Sequence, residues 1–482
     1  MKELSRRVLA AGAAVALLGC TPAALAADTG SAIAVQLDGQ NLTFTDAAPQ
    51  VKDQRTFLPF RAVLEAMGAQ VSNEGNVITA VRGGKTLTMT IGSTEAKVTE
   101  DGTETTLTMD VAPYVDEATW RTYVPVRFAA EAFDCSVGWD QDTMTAVIVD
   151  TGKLLDQAKE GHTFTYLKKY LDYSEKYQTG IWDTALALDG SMTMMGAPIA
   201  VKGTANGTTA DATKLSMGMN MTMDMAQFIA QMNALATAQD ETAESISAED
   251  QAILDSLAKD GIALQMRGDM ADGILYMNMS GKALESAGIS SDVWYSMDLA
   301  ALTKAAGIDF TALMSASKAM NYESLAKMAF QSADLSDSTT AYTQAQGMAE
   351  QVAAFLSDSA FVKNGNDYTT TTSLTKDGTQ ADLSLTLTTS GDKVVGYSMT
   401  MGMTAAANKE DTSAAGSVTM NVTASMDAKD QMKSHVTMDA MGLMSMDLTM
   451  TGGYVKGDKA PETQPPAGAT VVPYESLLTP NA

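Results

Sequence analysis

The 482-residue sequence predicts an α+β protein, with a duplicated strand-helix-strand domain near its N-terminal end and then a curved antiparallel β half-barrel with inserted helices. Three observations predict it. The heptapeptide Arg55-Thr56-Phe57-Leu58-Pro59-Phe60-Arg61 returns at an offset of 66 residues as Arg121-Thr122-Tyr123-Val124-Pro125-Val126-Arg127. From Gly180 to Tyr454 polar and apolar residues alternate at period 2, the mark of half-buried strands. Two stretches inside that region, Ala226 to about Lys259 and Leu299 to Leu356, carry helical spacing instead, the second broken near Gly307 and around Leu335 to Thr339.

Composition bounds the function. Hydrophobic residues make up 45% of the chain, enough for packed cores, yet aromatics supply only 6% and methionine occurs 34 times, so the apolar mass is thioether and aliphatic. A formal charge of −26 repels nucleic acid and anionic headgroups, which argues against nucleic-acid binding.

The first residues read as a targeting segment. Lys2, Arg6 and Arg7 precede an apolar run, Val8 to Leu18, too short to span a bilayer. Leu17-Leu18-Gly19-Cys20 resembles a bacterial lipobox, which implies removal of residues 1–19, a diacylglyceryl group on Cys20 and a membrane-anchored lipoprotein at the cell surface. Ala24-Leu25-Ala26 offers an ordinary signal-peptidase site and a secreted product instead, and Ser5-Arg6-Arg7 resembles part of a twin-arginine signal. Residues 20–30 form a linker. Cys135 is the remaining thiol of the mature chain, so no internal disulfide is expected, and its setting between Phe133 and Val137 reads as a small buried hydrophobe.

In each repeat the proline presets φ and opens a short helix, Ala62 to Met67 and Phe128 to Phe133, before a further strand. Cys135 falls on Ala69 in this register. At these residues, and at the opening Ile33-Ala34-Val35-Gln36-Leu37-Asp38-Gly39 and the closing Val137-Gly138-Trp139-Asp140, residues 31–150 resemble the copper amine oxidase N-terminal-like domain, a repeated module of secreted proteins. The resemblance implies an accessory, stalk-like domain. It does not imply amine oxidation, because that chemistry belongs to a separate domain with three histidine ligands, and this chain has two histidines, His162 and His435, in unrelated contexts. Arg61/Glu65 and Arg127/Glu131 are spaced for helix-surface ion pairs.

Residues 151–179 read as a helical connector, with Leu155, Phe164, Leu167, Leu171 and Tyr173 between lysines and glutamates. In the half-barrel region, 180–455, Met217, Met219, Met221, Met223 and Met225 share one face of a strand, with Gly218, Asn220, Thr222 and Asp224 on the other. Met192/Met194, Met277/Met279, Met399/Met401/Met403 and Met444/Met446 repeat the pattern. Asn206-Gly207, Asp272-Gly273, Asp377-Gly378 and Ser390-Gly391-Asp392 read as hairpin turns. A sheet of about ten strands results, with one polar and one methionine-rich face that the helices would cover. These strands, with Val293-Trp294-Tyr295-Ser296-Met297-Asp298-Leu299, resemble Met-rich bacterial lipoproteins and the LolA and LppX type of half-barrel carrier, which implies a concave apolar groove for an acyl chain or lipidated partner.

The methionine rows have three readings: adaptable core filler, a pliable lining for a hydrophobic ligand, or soft-metal binding to Cu(I). No Walker loop, Cys-x-x-Cys, His-Glu-x-x-His or Gly-x-Ser-x-Gly occurs. Carboxylates are plentiful enough for a glycosidase pair, but few aromatics are present to stack a sugar. The tail, 456–482, contains Pro461, Pro465, Pro466 and Pro473 and reads as extended. The expectation is a non-catalytic, cofactor-free envelope protein that binds a hydrophobic ligand or a cell-wall or envelope partner through its methionine face. The alternative is a structural or adhesive surface protein in which that face is core.

Overall fold

The structure, a computed structural model, describes residues 33–52, 55–100, 102–211, 213–239, 247–305, 335–376, 379–406 and 417–477. The leader with Cys20, the Asp377-Gly378 turn and the helix break near Gly307 lie outside them. The protein is mixed α+β and mostly strand. Its described residues divide into two compact units, one of 33–163 with 335–354 and the other of 164–305 with 355–477.

The first unit contains β1 (Ala34–Leu37), β2 (Gln40–Asn41), β3 (Gln50–Lys52), β4 (Arg55–Pro59), α1 (Phe60–Ala66), β5 (Gln70–Glu74), β6 (Val77–Arg82), β7 (Lys85–Thr90), β8 (Glu95–Glu100), β9 (Thr103–Thr108), β10 (Tyr114–Asp116), β11 (Arg121–Pro125), α2 (Val126–Glu131), β12 (Cys135–Asp140), β13 (Thr145–Asp150) and α3 (Thr151–Ala158). They form three sheets, β12-β13-β1-β2, β10-β11-β4-β3 and β5 to β9 in order. The two proline strands pair with each other: Leu58 opposes Val124, Phe57 opposes Pro125 and Tyr123 opposes Pro59. Each residue therefore faces its counterpart's mirror position, as two strands related by a local two-fold axis would. Leu58, Leu64, Ile78, Leu87 and Ile148 are fully buried in the core behind them, with Ala69 and Cys135 in equivalent places. Burial pushes the Cys135 thiol up to about 12, with Asp150 adding to the shift and Arg82 opposing it. Arg61–Glu65 and Arg127–Glu131 are helix-surface pairs at 3.6 and 3.9 Å, exposed and worth little to stability.

Residues 335–354 correct the sequence-based division, which assigned them to the half-barrel as part of its cover. The peptide N–H of Ser338 donates to Asp140 at 2.8 Å, Tyr342 lies 3.1 Å from where a Cβ on Gly39 would stand, and a Cβ on Gly138 would collide with the Leu335 carbonyl. Gly138 thus permits a close backbone approach in mid-strand. The helix that follows, Ala341–Leu356, buries Ala341, Ala345, Ala349 and Ala353 completely, a stripe at i, i+4 on one face. Reading a chain as contiguous blocks cannot reveal such a return, since alanine spacing names no partner.

The second unit contains α4 (Thr165–Ser174), β14 (Ile181–Met194), β15 (Ala197–Ala210), β16 (Lys214–Asp224), α5 (Ala226–Gln239), α6 (Ala248–Lys259), β17 (Ile262–Asp269), β18 (Ile274–Ser280), α7 (Lys282–Ser286), β19 (Val293–Asp298), α8 (Leu299–Ala305), β20 (Val362–Asn364), β21 (Asp367–Lys376), β22 (Thr379–Ser390), β23 (Lys393–Ala406), β24 (Ser417–Met426), β25 (Gln431–Ala440), β26 (Met444–Lys456) and β27 (Thr470–Pro473). They build one curled, half-barrel sheet of 14 strands in the order β20 to β26, then β14 to β19, then β27. Antiparallel pairing of β26 with β14 joins the two runs, from Met194–Met444 to Trp182–Lys456.

Three sequence expectations are corrected here. The sheet has more strands than anticipated because short edges are added, among them β27 from the tail, which pairs in parallel with β19. Asn206-Gly207 is not a turn but lies within β15, where Gly207 faces Met217 and a Cβ on it would stand 3.0 Å from the Ser216 carbonyl. The turn falls instead at Met195-Gly196, with φ of 53° and 84°, the pair of positive values a two-residue hairpin loop uses. The stretch from 164 to 179 is not a mere connector, since α4 docks on the sheet through Tyr173 and its neighbours.

Asp140 is the joint on which the returning segment depends. Hydrogen bonds from Ser338, side chain first and then backbone, hold its carboxyl well below the usual carboxylate range against the opposing effect of burial, and Thr143 assists. Its stabilising contribution is therefore present above about pH 4 and is lost as pH falls through the depressed native value. Asp140→Ala should cost about 1–3 kcal/mol at pH 7. Chemical denaturation of both proteins should show that difference shrinking in strong acid.

Candidate functional site

The register assembles the methionines. Along consecutive pairs, Met403 opposes Met420, Met420 opposes Met438, Met438 opposes Met446 and Met446 opposes Met192. On the other side of the sheet Met217 opposes Met266, which opposes Met277. Because side chains alternate along every strand and pair directly across the ladder, one face carries Met192, Met194, Met217, Met219, Met221, Met223, Met277, Met279, Met399, Met401, Met403, Met444 and Met446 together. Met266, Met297, Met420, Met426, Met432, Met438 and Met450 join them on that face. Sequence reading passed over these because they stand singly, as Met266 and Met297 do, or four to six residues from the next methionine of their strand. The signal was there in the Met432/Met438 spacing and in Met420, whose parity matches Val422 and Met426.

Burial separates this face from an ordinary core. Of all these side chains only Met426 is buried, at 6% exposed, while Met399 reaches 42% and the rest are half-buried. The aliphatic residues between them, Val422, Val436 and Leu448, are half-buried too, whereas Ile199, Val201 and Ala205 on β15 are buried. The reverse face presents Asp183, Asn220, Thr222, Thr400, Thr423, Thr437 and Asp447, and there His435 Nε2 meets Asp447 at 3.0 Å.

Glycines mark where neighbouring strands approach most closely. Gly190 and Gly452 lie on the methionine face of β14 and β26, and a Cβ on either would strike a neighbouring strand's carbonyl, that of Asp447 or Ala185. Gly396 and Gly453 on the reverse face meet the carbonyls of Met426 and Asp430 in the same way, so glycine admits close strand approach on both faces.

An aromatic cluster closes one end. Tyr166, Tyr170, Tyr173 and Tyr177 recur every three or four residues along α4 and the turn after it, so they share one helix face. Tyr170 meets Tyr397 edge-on at 5.3 Å, and Tyr177 lies 5.0 Å from Trp182 and 5.5 Å from Tyr454. Asp430 accepts from Lys176 Nζ and from the Tyr177 hydroxyl, each at 2.6 Å. Burial opposes ionisation of Asp430, but these two donors outweigh it and keep its carboxyl below the usual range. Burial among rings raises Tyr170 to about 12. Beside the cluster is a cavity of about 490 Å³ whose lining draws on both faces, with Tyr397, Met426, Met432 and Gly452 from the methionine face and Ser398, Ser425, Gln431, Lys433 and Thr451 from the reverse one. A larger hollow of about 650 Å³ opens among Asp183, Asn206, Thr208, Ser216 and Gly218 on the polar side.

No group of three or more histidine, cysteine, aspartate or glutamate side chains is placed to hold a metal ion among the described residues. None of their helices is long and apolar enough to cross a membrane.

Residues 36–148 match the family described as copper amine oxidase N-terminal domain. No curated protein matches the chain. Solved structures similar to it include a double mutant of Rh. blastica porin, 8% identical over 57% of this chain and 100% of the porin, with a TM-score of 0.11. A triple mutant of Rhodopseudomonas blastica porin is likewise 8% identical with the same coverages and a TM-score of 0.12. Scores this low carry no argument about fold or function.

Graded exposure gives a chemical test of the face. Under limiting peroxide, Met399 should be converted to the sulfoxide well before Met426, because oxidation follows access. Peptide mass spectrometry of the native protein would read the order, and unfolding in denaturant should abolish it.

Proposed function

We propose that the chain is an exported envelope protein, tethered by a lipid on Cys20, whose methionine face holds a hydrophobic ligand of acyl-chain type without transforming it. The observation that carries this reading is the apolar face of methionine rows left half-buried on either side of β15. Apolar surface left in water costs roughly 25 cal/mol per Å², so an occupant that covers it is favoured. Methionine suits the task because its unbranched, polarisable side chain repacks around flexible chains. The 490 Å³ cavity lies within the range of about 300–1,000 Å³ usual for small-molecule sites. Lys433, which lines it from the reverse face, supplies a cation for an acidic headgroup.

Around this site the finer organisation follows the same reading. The first unit serves as a duplicated stalk-like spacer, its two proline strands paired about their own axis. The second serves as a half-barrel of the lipoprotein-carrier kind, with α5 packed on β15 and α6 on β16 as its inserted helices.

The full chain, produced with its leader in a bacterial host, should retain extractable lipid in native mass spectrometry. Val436→Asp and Leu448→Asp, on the methionine face, should strip that lipid, while Thr437→Asp on the reverse face should keep it. A protein that purifies empty, or retains lipid equally in all three variants, overturns the reading. Separately, Cys20→Ser should move the protein from the membrane fraction to the soluble one.

A further inference from the structure

We infer that the row Met403–Met420–Met438–Met446–Met192 is a binding site for a soft monovalent cation of the Cu(I) or Ag(I) class. The inference stands apart from the hydrophobic-ligand reading and owes nothing to the first unit. In sequence these methionines lie scattered over more than two hundred residues, which argues against a metal site. In the sheet they occupy five consecutive strands, β23, β24, β25, β26 and β14, at one level of the register. Directly opposed residues in antiparallel strands hold their Cβ atoms about 4.5–5.5 Å apart. Each adjacent pair or trio of thioethers can therefore turn its sulfurs onto a common centre using only side-chain rotations, of which methionine has three.

The surroundings suit such an ion. All five side chains are half-buried, so a cation can reach the sulfurs yet loses much of its water there. No His, Cys, Asp or Glu cluster among the described residues offers a harder competing site. Thioether sulfur is a soft donor that prefers Cu(I) over Zn(II), Mg(II) or Ca(II). It carries no proton, so binding needs no deprotonation and involves no redox step. The formal charge of −26 draws cations to the protein from a distance.

The row differs from isolated methionines in a way that can be measured. Met399 is opposed by Leu385 and Ala424 and Met441 sits in a turn, so each is an exposed thioether with no methionine facing it across the ladder. The test uses the full chain, silver nitrate in chloride-free buffer, and native mass spectrometry to count ions. Wild type should take up Ag(I), and Met420→Leu/Met438→Leu/Met446→Leu should lose at least one ion and bind the remainder about tenfold or more weakly. Met399→Leu/Met441→Leu should match wild type. Leucine conserves volume and apolarity, so the triple variant should keep its circular dichroism and thermal midpoint, and a lost ion is then not a lost fold. X-ray absorption of the protein loaded anaerobically with Cu(I) should show a shell of sulfur alone. An unchanged ion count in the triple variant, an equal loss in the Met399/Met441 variant, a wild type that takes up no Ag(I), or nitrogen and oxygen in the first shell would each overturn it.

Discussion

Alternation of side chains along the strands, carried across directly paired ladders with a register shift at Thr388/Thr389 where β22 meets β23, is the constraint on which the second unit depends. A shift of one residue in any strand would send its methionines to the polar side and its threonines and aspartates to the apolar one. The cost of burying those polar groups unpaired is what holds each hairpin in register. The long pairing of β14 with β26 matters most, because it joins two meanders that are remote in sequence. Through that one ladder the methionines of β16 and β18 come to share a surface with those of β23 to β25.

Curvature follows from the same arrangement. Glycine at positions 190, 396, 452 and 453 removes side chains that would strike a neighbouring strand's carbonyl, and methionine tolerates the irregular spacing that a curled sheet leaves. The aromatic cluster on α4 then closes one end with large, rigid rings, anchored by the short contacts of Lys176 and Tyr177 to Asp430. Pliable and rigid apolar surfaces thus lie side by side, the one along the face and the other at its end. The same softness that would let a lipid chain settle is what lets sulfurs converge on an ion.

In the first unit the governing device is a close backbone approach. Gly138 and Gly39 leave room for residues 335–342, and Asp140 receives the N–H of Ser338, a bond that helps hold its carboxyl below the usual range. A unit that matches a known module over residues 36–148 is thus completed by a segment almost two hundred residues downstream.

Local chemistry was legible in the sequence. The 66-residue repeat, the proline that opens each short helix, the buried setting of Cys135 and the period-2 faces of β14, β16, β18, β23 and β26 all follow from residue types at fixed spacings, because dihedral preferences and side-chain alternation act over a few residues. What the tertiary structure decided is everything that needs to know which strand lies beside which. Asn206-Gly207 has the composition of a turn, yet it runs through the middle of β15 because long-range pairing on both sides outweighs a local preference of about 1 kcal/mol. The alanine stripe of 341–353 shows a helix face without its partner, and methionines as widely spaced as Met420 and Met438 show no row until β24 and β25 are neighbours. Register between remote strands is set by the summed packing of whole faces, a quantity that no window of sequence contains.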